Sequence, residues 1–537
     1  MFKHYFQNTL RFLKHNKLFA GINLFGLSIS LAATFLILLY VINEISYDHC
    51  HKNGKRAFRV ISFYPDTKLS GNRTPYVLKT TLKEEFPQIQ KVITVMPIPL
   101  IFKTENDSIS ETAISTDPQV FDIFTLPLVS GSSGSNLLED KNSIILSSEL
   151  SRKLFGKLDP TGKTIMVTAF DGNHLLTVKG VFEDVPENST FRPECIISSI
   201  WSVDYAKKKF YITNPETTWS QDLWSTWVLL PKKSNTRALE KQINNYTGKK
   251  IKGRPASIYS FQNLMDVYMK SGGIINSGKR GNITSIRIFS ALAFLIIVVA
   301  CINYIILSTA ISSGRATEIG IRKAFGAGIG KIRNQFLYES LLLVSISVPL
   351  AFFLAWFFLP FTEQMFQTRI HVMSSNITIY ILSGLFLVII IGALSGFYTS
   401  AYLSGLNVLH ILNHTANIAK GKFFRSFLII LQLIIFCSFM SGSLITRAQY
   451  KYEVNKYPGF YNKCILLINL GRNFNGYKTY LNTIKSNPNV ILAAGSNVSI
   501  PVNNASAAFQ MSNFQNPEIQ VMVDILIVDY NFLETMG

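Results

Sequence analysis

The chain has 537 residues, of which 48% are apolar and 16% are charged. This balance excludes a single soluble domain, which needs more charged surface, and a protein lying wholly within a membrane, because long polar stretches remain. The net charge of +20 is dispersed and partly flanks apolar runs, so it does not predict nucleic-acid binding. The five cysteines are scattered and odd in number, which predicts no obligatory disulfide.

Residues 1–17 alternate apolar and basic side chains at helical spacing, which predicts an amphipathic helix lying on the membrane surface. The apolar run after it exceeds the core of a signal peptide and lacks a convincing cleavage site, so we predict a retained transmembrane helix over 18–43. Each of five uncharged runs is long enough to cross about 30 Å of hydrocarbon as a helix. They are Ile22–Ile42, Ile288–Ile311, Leu341–Leu359, Ile379–Tyr402 and Phe427–Ile445.

The connections between these runs predict the orientation of the chain. Residues 312–336 form a short hairpin with five basic side chains and one acid, and the linker 413–426 is basic without any acid. Short basic loops are retained on the cytoplasmic side. We therefore predict a cytoplasmic N-terminus, an extracytoplasmic segment 44–285, and a last span over 427–447.

Within the hairpin, Arg315, Glu318 and Arg322 fall along one stripe of a helix. Glu318 precedes Arg322 by four residues, the orientation that favours an ion pair. Ile321 and Phe325 form an apolar pair on a neighbouring face, and the glycines that follow can end the helix. The pattern predicts a short charged helix that projects from the membrane surface. A simpler interpretation of the same residues is an ordinary basic loop.

Segment 44–285 mixes strand and helix patterns, which predicts an α+β domain. A β-α-β unit lies at each end, and we expect the two units to pack together with a β-rich lobe inserted between them. The predicted elements are strands at Ala57–Tyr64, Val92–Met96, Ser225–Leu230 and Ala256–Phe261, helices at Pro75–Phe86 and Thr236–Tyr246, and lobe strands at Ser143–Leu146, Thr164–Thr168 and Leu175–Val181.

Two short patterns in the outer segment could be read either as structural features or as binding sites. His49, Cys50 and His51 beside Asp48 are metal-ligand types, but residues one and two apart do not converge on a helix, so a membrane-proximal polar collar is favoured over a metal site. The run 162–164, Gly-Lys-Thr, resembles the end of a phosphate loop but lacks the required glycine, so we predict a turn leading into a strand. No nucleophile–base–acid pattern stands out, and we predict no enzyme, no metal and no cofactor on this chain.

Small and polar residues inside the apolar runs predict helix contacts. Asn303 is a side-chain amide deep in a span, and Gly392 and Gly396 form a GxxxG pair that allows a neighbouring backbone to approach closely. No charged residue lies mid-span, which argues against a secondary transporter.

A second copy of the first part of the chain is predicted to begin with the last span, Phe427–Ile445. Asp117 and Phe121 lie roughly 80 residues after the first span, and Asp529 and Phe532 lie at a similar distance after the last one. We expect 448–537 to be an incomplete second extracytoplasmic domain and the chain to be a fragment, with coincidental similarity of short strings as the alternative.

Four segments together resemble the MacB/FtsX-type, or mechanotransmission, ABC transporter permeases: KHNKLFAGINLFGLSISLA, NEISYDHCHKNGKRAFRV, ACINYIILSTA and EIGIRKAFGA. The resemblance implies a helical transmembrane bundle plus an α+β periplasmic domain over 44–285, with porter-like units and an inserted β-rich lobe, and an FtsX-like three-helix permease domain over 286–412. It implies that the hairpin seats on a separate cytoplasmic ATPase, which binds the ATP. The coupling surface would comprise Arg315, Glu318, Gly320, Arg322, Lys323, Gly326 and Ala327.

The function that this resemblance implies is that of a permease subunit in a bacterial inner membrane. It would couple the ATPase to motion of the outer domains and export antimicrobial compounds or other cell-envelope substrates, with a periplasmic adaptor and an outer-membrane channel as further partners. Alternatives are an envelope-sensing protein that moves no cargo and a lipoprotein-releasing permease. Two positions depart from the family pattern: Thr399 stands where a proline is common, and Cys50 where an aromatic residue is common.

Overall fold

The computed structural model describes most of the chain. The described ranges are 14–103, 108–131, 135–251, 256–275, 278–312, 328–366, 419–456, 465–468, 476–497, 508–512, 520–524 and 526–537, with isolated residues and short runs elsewhere, including parts of 321–325 and 382–397.

Short helices and strands alternate in the segment between the first two long apolar helices. The helices are α1 (Lys17–Ile45), α2 (Tyr76–Glu85), α3 (Val120–Ile123), α4 (Ser148–Phe155), α5 (Ile200–Lys209), α6 (Thr236–Lys250), α7 (Leu264–Val267), α8 (Ile283–Ser312), α9 (Ile329–Phe366), α10 (Ala419–Asn455), α11 (Tyr477–Lys485) and α12 (Phe532–Met536). The strands are β1 (Ala57–Tyr64), β2 (Leu69–Gly71), β3 (Lys91–Lys103), β4 (Ser108–Thr116), β5 (Leu128–Gly131), β6 (Ser143–Ser147), β7 (Thr164–Ala169), β8 (Gly172–Phe182), β9 (Cys195–Ser198), β10 (Ser225–Leu229), β11 (Ile258–Asn263), β12 (Ile274–Ile275), β13 (Ala508–Ser512) and β14 (Gln520–Asp524).

The chain divides into two compact units. The membrane unit comprises residues 1–46 and 282–450, and the outer unit comprises 47–281 and 451–537. In the membrane unit α1, α8, α9 and α10 are long and apolar enough to cross a bilayer. They contain four of the five predicted spans, which confirms those four. The fifth, Ile379–Tyr402, lies mostly outside the described residues.

Helices α1, α8 and α9 share one apolar core. It includes Leu27 and Leu31 of α1, Tyr304 of α8, and Leu343 and Val344 of α9. The structure extends two of the predicted helical segments. Helix α9 begins twelve residues before the predicted span, and α10 begins at Ala419, so the second half of the linker predicted over 413–426 is helical and continuous with the last span.

In the outer unit the two terminal β-α-β units form one sheet. Strand β1 pairs with β11 and with β10, and β10 pairs with the first half of β3, all antiparallel. The order β11-β1-β10-β3 is that of a split β-α-β, or ferredoxin-like, fold. Helices α2 and α6 cover one face, where Leu78, Leu82, Leu239 and Ile243 are buried against the sheet.

The β-rich lobe is continuous with this sheet because both use β3, which has 13 residues. The second half of β3 pairs with β4, and the pairing continues through β9, β6, β8 and β7 back to β3. The six strands thus close into a barrel, whose buried residues include Leu100, Phe102, Leu146 and Val178. The predicted β-rich lobe lies between the two units in the chain and shares one long strand, β3, with the sheet.

One local prediction in the lobe is confirmed. Gly162 has a φ of +82° in a turn that leads directly into β7, so the Gly-Lys-Thr run is a turn before a strand. Trp224 and Trp227 are buried in the core, and Trp219 packs against the cluster under α2 and α6.

The outer unit also includes the described residues of 451–537. It contains α11, the antiparallel pair β13–β14 and α12. An isolated bridge joins Ser496 to Val528. The Tyr477 hydroxyl at the start of α11 donates to Asp529 Oδ2 at 2.6 Å, which links the helix to the segment before α12.

Candidate functional site

The hairpin between α8 and α9 is described only in part. Of the seven predicted coupling residues, the structure describes Lys323, whose side chain is half-buried; Arg315, Glu318, Gly320, Arg322, Gly326 and Ala327 lie outside the described residues. The Phe325 amide donates to the Ile321 carbonyl at 3.0 Å, a helical turn. Ile321 is 47% exposed and Phe325 is 88% exposed. Large apolar side chains exposed on a basic turn are typical of a protein-binding surface.

The last residues of the hairpin, from Ile329 onward, belong to α9. The Ile332 amide donates to the Gly328 carbonyl, so helical bonding begins at the hairpin glycine. Helix α9 then continues for 38 residues, about 57 Å at 1.5 Å per residue, which exceeds the hydrocarbon thickness of about 30 Å. Its two prolines, Pro349 and Pro360, lie within the helix. Membrane helices tolerate proline where neighbouring groups satisfy the freed backbone.

Polar contacts join the three packed helices. A Cβ at Gly26 would lie 3.2 Å from Asn303 Nδ2, so the predicted packing amide of α8 faces a glycine of α1. The Tyr304 and Ser340 hydroxyls are 2.8 Å apart, and Ser28 Oγ donates to the Ser347 carbonyl at 3.2 Å. Sequence reasoning missed the last two contacts. The spacing of Ser340 and Ser347 by seven residues, two turns of one helix face, was the available signal.

The described residues of the fourth predicted span place the GxxxG pair against α9. A Cβ added at Gly392 would lie 2.7 Å from Leu341 Cδ2, and one added at Gly396 would lie 2.9 Å from Ser340 Oγ and 3.0 Å from Ser340 Cβ. These distances are shorter than ordinary van der Waals contacts, so glycine permits the close approach at both positions.

We expect Gly396→Leu to disrupt this helix contact, because the new side chain meets Ser340 and Leu337. The thermal unfolding temperature of the detergent-solubilised chain should fall by several degrees. Gly442→Leu is the matched control, since a Cβ there has no atom within 4 Å. Equal unfolding temperatures for the two variants would contradict the packing role of Gly396.

In the outer unit, Asp48 and His51 are buried rather than exposed. Asp48 is 0% and His51 is 2% exposed. The predicted polar collar is therefore wrong for these two residues. The Thr190 amide donates to Asp48 Oδ1 at 2.7 Å, the Thr190 hydroxyl donates to Oδ2 at 2.9 Å, and the Ser189 hydroxyl donates to Oδ1 at 3.2 Å.

The tautomer of His51 follows from its neighbours. Nδ1 accepts from the Thr125 amide at 3.2 Å, so Nε2 carries the proton and donates to Ser189 Oγ at 2.9 Å. Burial lowers the pKa of His51 to about 4, so the ring is neutral at pH 7. Burial raises the pKa of Asp48 despite the hydrogen bonds from Thr190. Burial, followed by the charge of Asp48, raises the pKa of Cys50 to about 11.

This arrangement differs from both a metal centre and a hydrolytic triad. No group of three or more His, Cys, Asp or Glu able to hold a metal occurs among the described residues. Ser189 contacts Asp48 directly, whereas a triad requires the histidine between the serine and the carboxylate. The Ser189 hydroxyl is also enclosed, so the network joins chain segments rather than presenting a nucleophile.

A second buried carboxylate connects α2 with β3. Asp117 is 4% exposed and accepts from Lys79 Nζ at 2.5 Å. Its other oxygen accepts from the Thr94 amide at 2.9 Å and from the Thr94 hydroxyl at 3.2 Å. The pKa of Lys79 is raised: burial lowers it, and the charge of Asp117 together with the hydrogen bonds more than offsets this. From the sequence, Asp117 was selected only because a similar short motif recurs near Asp529.

Comparisons with known proteins match both units. A protein-family model described as MacB-like periplasmic core domain matches residues 20–246, and one described as FtsX-like permease C-terminal matches 290–408. The macrolide export ATP-binding/permease protein MacB of Neisseria meningitidis serogroup A is 28% identical over 243 residues, which cover 45% of this chain and 34% of that protein. The chain thus spans about a third of the length of the curated relatives it matches.

Two solved structures show limited similarity to this chain. The periplasmic region of MacB from Actinobacillus actinomycetemcomitans has 15% identity and a TM-score of 0.30, over 39% of this chain and 90% of that one. The extracellular domain of the noncanonic ABC-type transporter YknZ from Gram-positive bacteria has 15% identity and a TM-score of 0.28, over 38% and 100%.

Proposed function

The chain belongs to the MacB/FtsX-type ABC transporter permeases, and from this premise we propose that it couples a cytoplasmic ATPase to motion of its extracytoplasmic domain. The observation that carries the proposal is the pair of exposed apolar side chains, Ile321 and Phe325, on a basic hairpin whose last residues belong to the long helix α9. A continuous helix transmits displacement along its axis because each residue adds a fixed rise of about 1.5 Å. Binding or closure of the ATPase at the hairpin would therefore move α9 as a lever.

The ATPase is proposed as a separate partner that binds ATP, and the hairpin residues Arg315, Glu318, Arg322 and Lys323 as its contact surface. Exposed apolar side chains surrounded by charged ones resemble the composition of a protein interface. The buried polar contacts among α1, α8 and α9 support transmission as a body, because they restrict sliding of one helix past another.

We propose that the transported material is an antimicrobial compound or another cell-envelope substrate. The support is the similarity to proteins named for macrolide export, of which the chain matches a third. A periplasmic adaptor and an outer-membrane channel are proposed as further partners on the same ground.

We propose that 448–537 begins a second outer domain. Helix α11, the hairpin β13–β14, Asp529 and α12 follow one another as α2, the hairpin β3–β4, Asp117 and α3 do. In both segments the aspartate carboxylate binds a side chain of the preceding helix: Lys79 at 2.5 Å in the first and Tyr477 at 2.6 Å in the second. The shared order and the shared contact support an internal repeat.

The proposal requires a cytoplasmic hairpin and an extracytoplasmic lobe, which cysteine labelling tests. In a chain lacking its five native cysteines, Lys157→Cys in the lobe should react with a membrane-impermeant maleimide in spheroplasts, because Lys157 is exposed. Gly328→Cys in the hairpin should react only after the membrane is permeabilised. Labelling of Gly328→Cys in sealed spheroplasts, with intact cytoplasmic controls, would overturn the proposed function.

A further inference from the structure

The outer unit is connected to membrane helices at two points along the chain. Tyr47 and Asp48 follow α1, which ends at Ile45, and the segment from Tyr268 to Gly281 precedes α8, which begins at Ile283. Both connections belong to the outer unit, and their contacts within it show how firmly each is held.

The two connections are stacked on each other. The rings of Tyr47 and Tyr268 are parallel, with centroids 3.4 Å apart, and each residue is 3% exposed. Lys279 Nζ lies 5.9 Å from the centre of the Tyr47 ring, and the Gly281 amide donates to the Tyr268 carbonyl at 2.9 Å. A Cβ at Gly281 would lie 2.5 Å from the Tyr268 ring, so glycine is required for this approach. Stacked, enclosed aromatic rings hold two segments together.

The next residue, Asp48, is joined to the loop between β8 and β9. Its carboxylate accepts from the Ser189 and Thr190 side chains and from the Thr190 amide, and its own amide donates to the Asn188 carbonyl at 2.8 Å. Asp48 has a φ of +63°, a conformation that persists only where the surroundings determine it. The entering connection is therefore fixed to the loop that joins two strands of the barrel.

Asp48 is also coupled to the helix-covered sheet by charge. Arg59 of β1 is 3% exposed and donates to Gln262 Oε1 at 2.7 Å and to Ser271 Oγ at 3.1 Å. Ser271 belongs to the connection that leads to α8. Burial lowers the pKa of Arg59 to about 10, and the charge of Asp48 partly offsets this effect, so the two groups attract within the buried region.

We propose that Tyr47, Asp48, Thr190 and Tyr268 form a stem clamp, through which displacement of α1 and α8 is delivered together to the barrel and to the sheet. The inference rests on the proposed function, because it assigns the residues that receive the motion. Tyr47, Asp48 and Tyr268 are buried, and ring stacking and hydrogen bonds fix them to their neighbours, so a displacement of the chain at these residues is passed to the segments that they contact. Tyr47 and Tyr268 would combine the two inputs, and Thr190 would pass them to the barrel.

The test uses the full chain in nanodiscs with its ABC ATPase and measures hydrogen–deuterium exchange with and without a non-hydrolysable ATP analogue. The wild type should show an ATP-dependent change in exchange over 188–191 and β6. Tyr47→Leu and Thr190→Val should reduce that change at least five-fold, while ATPase association stays within two-fold of wild type. Tyr47→Phe is the matched control, because it keeps the stacked ring, and the Tyr47 hydroxyl has no hydrogen-bond partner in the described part of the chain.

The outcomes separate the clamp from the function on which it rests. An undiminished ATP-dependent change in both Tyr47→Leu and Thr190→Val overturns the clamp and leaves the proposed function standing. Thr190→Val decides alone if Tyr47→Leu does not fold, because valine keeps the shape of threonine and removes the hydroxyl that bonds Asp48. A wild-type chain that binds the ATPase but shows no ATP-dependent change overturns the proposed function, and the clamp with it.

Discussion

Charge reversal of the hairpin, Arg322→Glu with Lys323→Glu, is expected to abolish association with the ABC ATPase and ATP-driven transport. The double change replaces two positive side chains by two negative ones on a hairpin that otherwise carries one acid. Like-charge juxtaposition at an interface costs several kcal/mol, roughly a thousand-fold or more in affinity. Co-purification of the ATPase with the tagged permease measures the loss.

The matched control is Lys232→Glu with Lys233→Glu, a pair of exposed lysines in the outer unit. This control makes the same change in net charge far along the chain from the hairpin, and both association and transport should persist. Retained association in the Arg322→Glu, Lys323→Glu chain would contradict the coupling role. Measuring ATP hydrolysis beside transport separates the two functional alternatives, because a sensing protein would stimulate hydrolysis without moving cargo.

Asp117→Ala is expected to destabilise the outer domain by roughly 3–5 kcal/mol, since removal of one partner leaves a buried ammonium group uncompensated. Lys79 loses its partner at 2.5 Å, and the Thr94 amide and hydroxyl lose their acceptor. Urea denaturation followed by tryptophan fluorescence reports on this domain, because four of the five tryptophans, at 201, 219, 224 and 227, lie within it.

Asp122→Ala provides the control for Asp117→Ala. Asp122 pairs with Lys91 at 3.3 Å, but both side chains are about half exposed, at 51% and 46%. Solvent-exposed pairs contribute about 0–1 kcal/mol, so this variant should unfold at nearly the wild-type urea concentration. Equal destabilisation by the two substitutions would show that burial of the Asp117 carboxylate is not the cause.

Strong local patterns predicted the elements that they specify. The strand Ala57–Tyr64 was predicted with its observed bounds, and the four described spans were predicted because length and apolarity identify a membrane helix without any tertiary contact. Weaker patterns did not predict strand β4 or the second half of β3. Strand β4 is rich in serine and threonine, and the second half of β3 contains Pro97 and Pro99, which indicate a break. Both prolines are exposed and lie two residues apart, at equivalent positions of the strand.

In the candidate site, too, some residues could be selected from local patterns and others could not. The charged hairpin and the packing residues Asn303, Gly392 and Gly396 could be selected from sequence, because spacing and residue type carry their meaning. The role of Asp48 could not be predicted in this way. Its partners Ser189 and Thr190 follow it by about 140 residues, and its burial depends on the loop that brings them back. Short-range spacing carries no information on such a contact.

Residue order alone was therefore sufficient for the membrane spans, the basic hairpin and the mixed α/β character of the outer segment, because hydrophobic run length, charge placement and periodicity are local properties. The shared strand β3, the closed barrel and the stem clamp became visible only in three dimensions. Each depends on pairing between residues far apart in the chain, and burial, rather than residue type, gives the polar side chains of the clamp their role.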